Sequence, residues 1–257
     1  MKPEPTPGPG AQGAVVVVAG ATSASGRAAV RALRAAGATP IAVGSDAARL
    51  AAAFGEPGAR DGAVPQRTCD LADFGAVQSL AADVRGAFGA VDGVIHLVGG
   101  WRGGGTFADQ SDADWDFLAR GGITTLRNTS RAFFEDVAAS QRGRFAMVSS
   151  TTLARPSAAN ANYQAAKAAA EAWTRSMAQG LSLLESARKE DPKPQTSAAV
   201  VLAVKALLDE AMRAAEPNRR FPGYTHVDVL AARAVALFSD DAADVNGSRI
   251  DLTASSI

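Results

Sequence analysis

The apolar run Ala14-Val15-Val16-Val17-Val18-Ala19 is unbroken by polar residues and stops at Gly20. A short continuous β-branched run predicts a strand covered on both faces, here the first and central strand of a parallel sheet. In residues 26–36 the spacing changes: Val30 and Leu33 stand three apart among good helix formers, and Gly37 supplies a stop. That pattern predicts a helix. The alternation continues with a strand at Ile41-Ala42-Val43, a helix over 46–54, a short strand running into Asp70, a helix over 74–88 and a strand at Val94-Ile95-His96-Leu97-Val98. Next come a long helix within 112–140, a strand at Phe145-Ala146-Met147-Val148, a helix around 163–184, a strand over 198–202, a helix over 227–238 and a last strand at Arg249-Ile250-Asp251-Leu252.

Repeated strand and helix segments require right-handed crossovers between parallel strands. The expected class is therefore α/β, a single Rossmann-type doubly wound domain over 14–257 with a mostly parallel seven-stranded sheet flanked by helices. At 257 residues and 47% hydrophobic content the chain can bury one large core. Residues 1–13 carry Pro3, Pro5, Pro7 and Pro9 with no apolar stretch, so they predict a disordered tail with no secretory segment, and the expected location is the cytoplasm. The charged stretch 185–197, with Pro192 and Pro194, reads as an exposed connection.

Charge narrows the partners. Lys plus Arg equals Asp plus Glu at 26 each, so no net field draws the chain to nucleic acid or an anionic membrane, and a small molecule is the expected partner. Cys69 is the only cysteine and His96 and His226 the only histidines. No internal disulfide can form, and no metal site is expected.

Two segments carry chemistry. Gly20-Ala21-Thr22-Ser23-Ala24-Ser25-Gly26 lies between the first strand and the first helix, where backbone N–H groups and the helix dipole can hold a pyrophosphate. Tyr163-Gln164-Ala165-Ala166-Lys167 puts a phenol and an ammonium on one helical face. A nearby positive charge favours the phenolate, so Lys167 is expected to lower the pKa of Tyr163 from its usual value of about 10 and make it a general acid or base.

Together these segments resemble the short-chain dehydrogenases/reductases, over about residues 14–254. The resemblance implies NAD(P)(H) as cofactor and Ser150, thirteen residues before Tyr163, as the hydroxyl that polarises a carbonyl. Lys167 would also hold the nicotinamide ribose, and the positive charge of an oxidised nicotinamide would join Lys167 in favouring the Tyr163 phenolate. Gly44 and Ser45 fall where an acidic residue marks NAD enzymes. Their lack of charge favours NADP(H), with Arg27 a distant cation, whereas Asp46 leaves NAD(H) possible if the loop shifts. Asp70-Leu71 resembles the pair that contacts adenine, although Asp70 could equally cap the next helix. Val98 and Gly99 complete the cofactor set. A dimer or tetramer through the helices at 112–140 and 163–184 is also implied.

Several positions depart from the family. His96-Leu97-Val98-Gly99 stands where Asn-Asn-Ala-Gly is usual, Ala24 replaces a glycine, Lys205-Ala206 stands near the usual Pro-Gly, and Ala254-Ser255 replaces a final Gly-Gly. The family's asparagine in the long helix aligns with Gly122, and Asn128 is too far along to replace it. Gly99-Gly100-Trp101 is similar to dihydropteridine reductases, which would put Trp101 beside a flat substrate ring or leave it as loop packing. Leu208, Met212, Phe221 and Tyr224 are expected to line the substrate site, or else to pack in the core or a subunit contact. The expected activity is hydride transfer between nicotinamide and a small carbonyl, alcohol or imine, most readily as an NADPH-dependent reductase. The alternative is a non-catalytic NAD(P)-binding sensor or scaffold.

Overall fold

The computed structural model describes residues 8–56, 63–186 and 194–253. Seven strands form one sheet: β1 (Val15–Ala19), β2 (Thr39–Gly44), β3 (Gln66–Thr68), β4 (Gly93–His96), β5 (Arg144–Ser150), β6 (Ala198–Val204) and, after two short strands outside this sheet, β9 (Arg249–Asp251). Their order is β3-β2-β1-β4-β5-β6-β9, and every pairing is parallel. The order reverses at β1, so a crevice opens above the carboxyl ends of β1 and β4, where such sheets bind ligands.

The valines of β1 show why the run is uninterrupted. Val16 and Val18 face the cluster containing Val30, Leu33 and Leu230, while Val17 and Ala19 face the one containing Val84, Leu126 and Leu181. Each buried valine contributes roughly 1.5 to 3 kcal/mol. The helices α1 (Ala24–Ala35) and α9 (Val227–Ala236) cover one face; α3 (Phe74–Phe88), α5 (Thr125–Ala132) and α7 (Ala161–Ser186) cover the other, with α2 (Ala47–Phe54) beside β2 and β3.

Some boundaries differ from expectation for visible reasons. Helix α1 starts at Ala24 rather than Gly26 because Ser23 caps it. β4 ends at His96, two residues early, where the chain leaves for the glycine-rich segment 97–111. The single long helix expected within 112–140 is divided into α4 (Asp112–Leu118), a π-helical segment (Ala119–Thr124), α5 and α6 (Phe134–Ala139). Thr125 Oγ1 donates to the Gly121 carbonyl at 2.7 Å, and such widened turns recur at functional sites.

The expected tail is corrected in its second half. Gly8 and Gly10 donate to the Ser239 and Phe238 carbonyls at 2.9 and 3.1 Å, Arg142 donates to the Gly10 and Gln12 carbonyls, and Ala11 is buried. Residues 1–7, most of the connection at 185–197 and the Ala254-Ser255 pair lie outside the described residues. The stretch after β6 is an excursion rooted by a two-stranded ribbon, β7 (Leu207–Leu208) and β8 (Thr225–His226), with α8 (Glu210–Ala215) between them.

Candidate active site

Gly20 ends β1 with φ +81°, a conformation open chiefly to glycine. A Cβ there would stand 3.1 Å from the Leu97 carbonyl, so the missing side chain lets the segment after β4 close against the phosphate turn. At Gly26 a Cβ would overlap the Gly20 carbonyl oxygen and stand 2.6 Å from Ala21 Cα. Ser23 folds the turn: its hydroxyl donates to the Gly20 carbonyl at 2.9 Å and accepts the Gly26 N–H at 3.0 Å. Helix geometry leaves the Ala24 and Ser25 N–H groups without intrahelical acceptors. These donors, with the dipole of α1, suit a pyrophosphate. The Ala24 methyl does not obstruct them, since it packs against the cluster of Ala28, Val227 and Ala231.

At the end of β2, Gly44 lies against Thr22: a Cβ on Gly44 would stand 3.5 Å from Thr22 Cγ2. Arg27 Nη1 donates to the Thr22 carbonyl at 2.6 Å. The guanidinium is thus tied to the backbone of the residue whose methyl faces Gly44. Ser45 is exposed, and the Asp46 carboxylate accepts the Arg49 N–H at 3.0 Å as the N-cap of α2. Asp70 does not cap α3; Asp73 does. Asp70 instead accepts the Ala72 N–H and pairs with Arg120 at 2.7 Å. Leu71 is buried, and its carbonyl accepts from Asn128 at 3.1 Å, which gives Asn128 an anchoring role.

Ser150, Tyr163 and Lys167 converge on one cavity of about 770 Å³, together with Ser23, Ser25, Val98, Gly99 and Trp101. Ser150 ends β5; its hydroxyl accepts the Thr152 N–H at 3.2 Å and shares a 2.8 Å hydrogen bond with Thr152 Oγ1. Behind it, Arg249 donates to the Ser150 carbonyl at 2.9 Å and to Glu171 at 3.0 Å. Gln164 ties the segment after Ser150 to α7, donating to Thr152 and accepting from Ser157.

Tyr163 departs from the expected direction. Burial holds its pKa above the ordinary tyrosine value, and the hydrogen bond with Ser150 opposes this without reversing it. The Lys167 ammonium is turned to the Val148 carbonyl at 2.8 Å. Burial lowers the Lys167 pKa to about 8 against the opposing pull of Glu171. Buried His96 sits near this ammonium; loss of solvent, then Lys167, lower its pKa to about 3, and it shares a 3.2 Å hydrogen bond with Thr125.

Of the expected substrate residues, Trp101 and Tyr224 line the cavity. Trp101 is 62% exposed, with its indole N–H donated to Asn160 Oδ1 at 3.0 Å. Leu208 takes the alternative of core packing, buried where β7 pairs in the ribbon. Met212 is on the exposed face of short α8, and Phe221 packs on Tyr224 at 5.4 Å between ring centres; neither is in the lining. Thr152, Asn160, Lys205 and Arg219 also line it. The sequence reading missed them because they lie on irregular segments with no periodicity to place them.

The sequence profile of the short chain dehydrogenase family matches residues 14–184, two thirds of the chain. The chain belongs to the short-chain dehydrogenase family. Its fold is similar to a short-chain type dehydrogenase/reductase from Mycobacterium ulcerans (TM-score 0.79, 20% identity, 94% of this chain and 88% of that one). It is likewise similar to a short chain dehydrogenase from Burkholderia cenocepacia J2315 in complex with NADP (0.75, 22%, 94% and 96%) and to NAD+-bound xylitol dehydrogenase (0.77, 16%, 94% and 98%). As a short-chain dehydrogenase the protein is an NAD(P)-dependent oxidoreductase acting on small molecules. Among the described residues no helix is long and apolar enough to cross a membrane. At the family's asparagine position, Gly122 stands in the π-helical segment, and a Cβ there would meet open space.

The buried lysine of this short-chain dehydrogenase has a signature in pH. Between about pH 8 and its ordinary value of 10.5, the unfolded chain keeps a proton that the folded chain releases, so folding stability rises with pH across that window. The melting temperature of the wild type relative to Lys167→Met should therefore climb over the same range. A difference that stays flat would contradict a lysine of lowered pKa.

Proposed function

We propose that this short-chain dehydrogenase is an NADPH-dependent reductase of a small carbonyl or imine. The convergence of Ser150, Tyr163 and Lys167 on the cavity that also reaches Ser23 and Ser25 carries this reading. Bound across the phosphate turn, the nicotinamide cofactor supplies the hydride. Gly20 to Gly26 hold its pyrophosphate, Val98 and Gly99 its nicotinamide side, and Lys167 its ribose. Ser150 donates a hydrogen bond to the substrate oxygen or nitrogen. Tyr163, protonated at neutral pH because burial raises its pKa, gives up its proton to that atom as it gains charge.

The preference for NADP(H) over NAD(H) is supported by Gly44 and Ser45, which would meet a 2′-phosphate without repulsion, with Arg27, held on the Thr22 carbonyl, as a further cation. Asp46, the one residue that favoured NAD(H), is engaged in capping α2. Asp70 and Leu71 flank the adenine end, and Trp101 offers a ring for a planar substrate to stack on. We assign the enzyme to the cytoplasm. It assembles as a homodimer or homotetramer through α4 to α7, where Trp115, Phe117, Leu183 and Leu184 are exposed.

The reading is tested by presenting ketones, aldehydes and cyclic imines with NADPH and following cofactor absorbance. At least one class should give saturable oxidation of NADPH with matching reduced product. Tight NADPH binding with no turnover across all three classes would favour a sensor over an enzyme.

A further inference from the structure

The wall of the cavity carries Lys205, Arg219 and Tyr224, and none of the residues lining the cavity is acidic. Resting on the reductase reading, we propose that Lys205 and Tyr224, backed by Arg219, form an anion subsite that selects a carbonyl substrate bearing a carboxylate near the reacting carbon.

The sheet places this charge beside the reacting groups. Ser150 and Val204 are register partners on β5 and β6, about 4.8 Å apart in the hydrogen-bonding direction, and Lys205 is the next residue. Its stem then lies along the turn 221–224, closed by the Tyr224 N–H to the Phe221 carbonyl at 3.1 Å. Gly223, at φ +73°, has no Cβ to meet; one would stand 3.3 Å from Lys205 Cδ. The ammonium donates to the Pro222 carbonyl at 2.8 Å. That bond uses one of three N–H groups. Among the described residues Lys205 has no carboxylate partner, so its charge is available to a ligand.

Arg219 contributes differently. Glu216 engages one of its nitrogens at 2.8 and 2.9 Å, and Nη2 donates to Tyr224 Oη at 3.4 Å. Because Tyr224 accepts from Arg219, its own O–H remains free to donate to a ligand oxygen. Lys205 Nζ stands over the Tyr224 ring, 5.9 Å from its centre, so the ammonium and the phenol O–H belong to one stretch of the cavity wall. A charge-assisted pair of this kind suits a carboxylate.

The same donors could serve a phosphate of the cofactor, and the experiment separates the two sources. Wild type, Lys205→Met and Lys205→Arg are each titrated with NADPH by fluorescence, then assayed with 2-, 3- and 4-oxo acids and their methyl esters. At least one acid should exceed its ester in kcat/KM by tenfold or more. Lys205→Met should erase that ratio mainly through KM, Lys205→Arg should restore most of it, and NADPH affinity should change less than twofold. Esters matching acids in the wild type, no acid being turned over, or a preference that survives Lys205→Met would each overturn the subsite. Weaker NADPH binding in Lys205→Met with the acid preference intact would assign the charge to the cofactor and also overturn it. Absence of NADPH binding by the wild type would defeat the reductase reading itself, a separate failure.

Discussion

Replacing Tyr163 by Phe should cut turnover by about two to four orders of magnitude, with NADPH affinity nearly unchanged. The phenol lines the cavity beside Ser150 and is acidic enough to pass on a proton, yet keeps it at neutral pH, since burial raises its pKa. Removing one oxygen leaves the ring to fill the same space, so α7 and the lysine one turn later should hold their places. Steady-state rates with any substrate found in the screen, paired with fluorescence titration of NADPH, check this. Activity within a few-fold of wild type would remove Tyr163 from the mechanism.

Arg144→Leu should cost on the order of 3 to 5 kcal/mol of stability without touching the site. Arg144 is 1% exposed at the start of β5, at the opposite end from Ser150. Its guanidinium donates to four carbonyls, those of Leu237, Gly143, Thr196 and Asp240, at 2.6 to 2.9 Å. Burial lowers its pKa to about 10, with Asp240 and Asp241 opposing, so it stays charged at neutral pH. A leucine fills part of the volume but leaves these acceptors unpaired. Urea unfolding should show the midpoint fall with the slope m unchanged. A loss under about 1 kcal/mol, the ordinary cost of a substitution, would mean that water reaches the carbonyls.

Much of this fold could be read from the chain because its strands are buried on both faces. Val15 to Val18 must be apolar on consecutive positions, and the helices between strands keep the spacing of a one-sided apolar face. Helical spacing put Tyr163 and Lys167 on one face, and the family resemblance pointed to Ser150 through its distance of thirteen residues from Tyr163. What the pattern hid depends on tertiary placement. Nothing local marks Thr125 as drawing the Gly121 carbonyl into a widened turn, or Arg144 as a buried hub, because charged residues at strand ends are ordinarily solvated. Helical spacing puts Lys167 on the same face as Tyr163 but does not show its ammonium turned to the Val148 carbonyl, nor the burial that raises the Tyr163 pKa. For Leu208, Met212, Phe221 and Tyr224 the sequence leaves substrate lining and core or subunit packing both open, whereas the β7 and β8 ribbon determines which residues of that excursion face the cavity.

The central claim is a cofactor-dependent redox site that favours NADP(H). It is tested most directly by titrating the purified protein separately with NADPH and NADH, following nicotinamide fluorescence and melting temperature, because a ligand that binds the native state raises its stability. Saturable binding of both is expected, with NADPH tighter by at least about tenfold, or roughly 1.4 kcal/mol. Tighter NADH would contradict the roles given to Gly44, Ser45 and Arg27, and binding of neither would contradict the account as a whole.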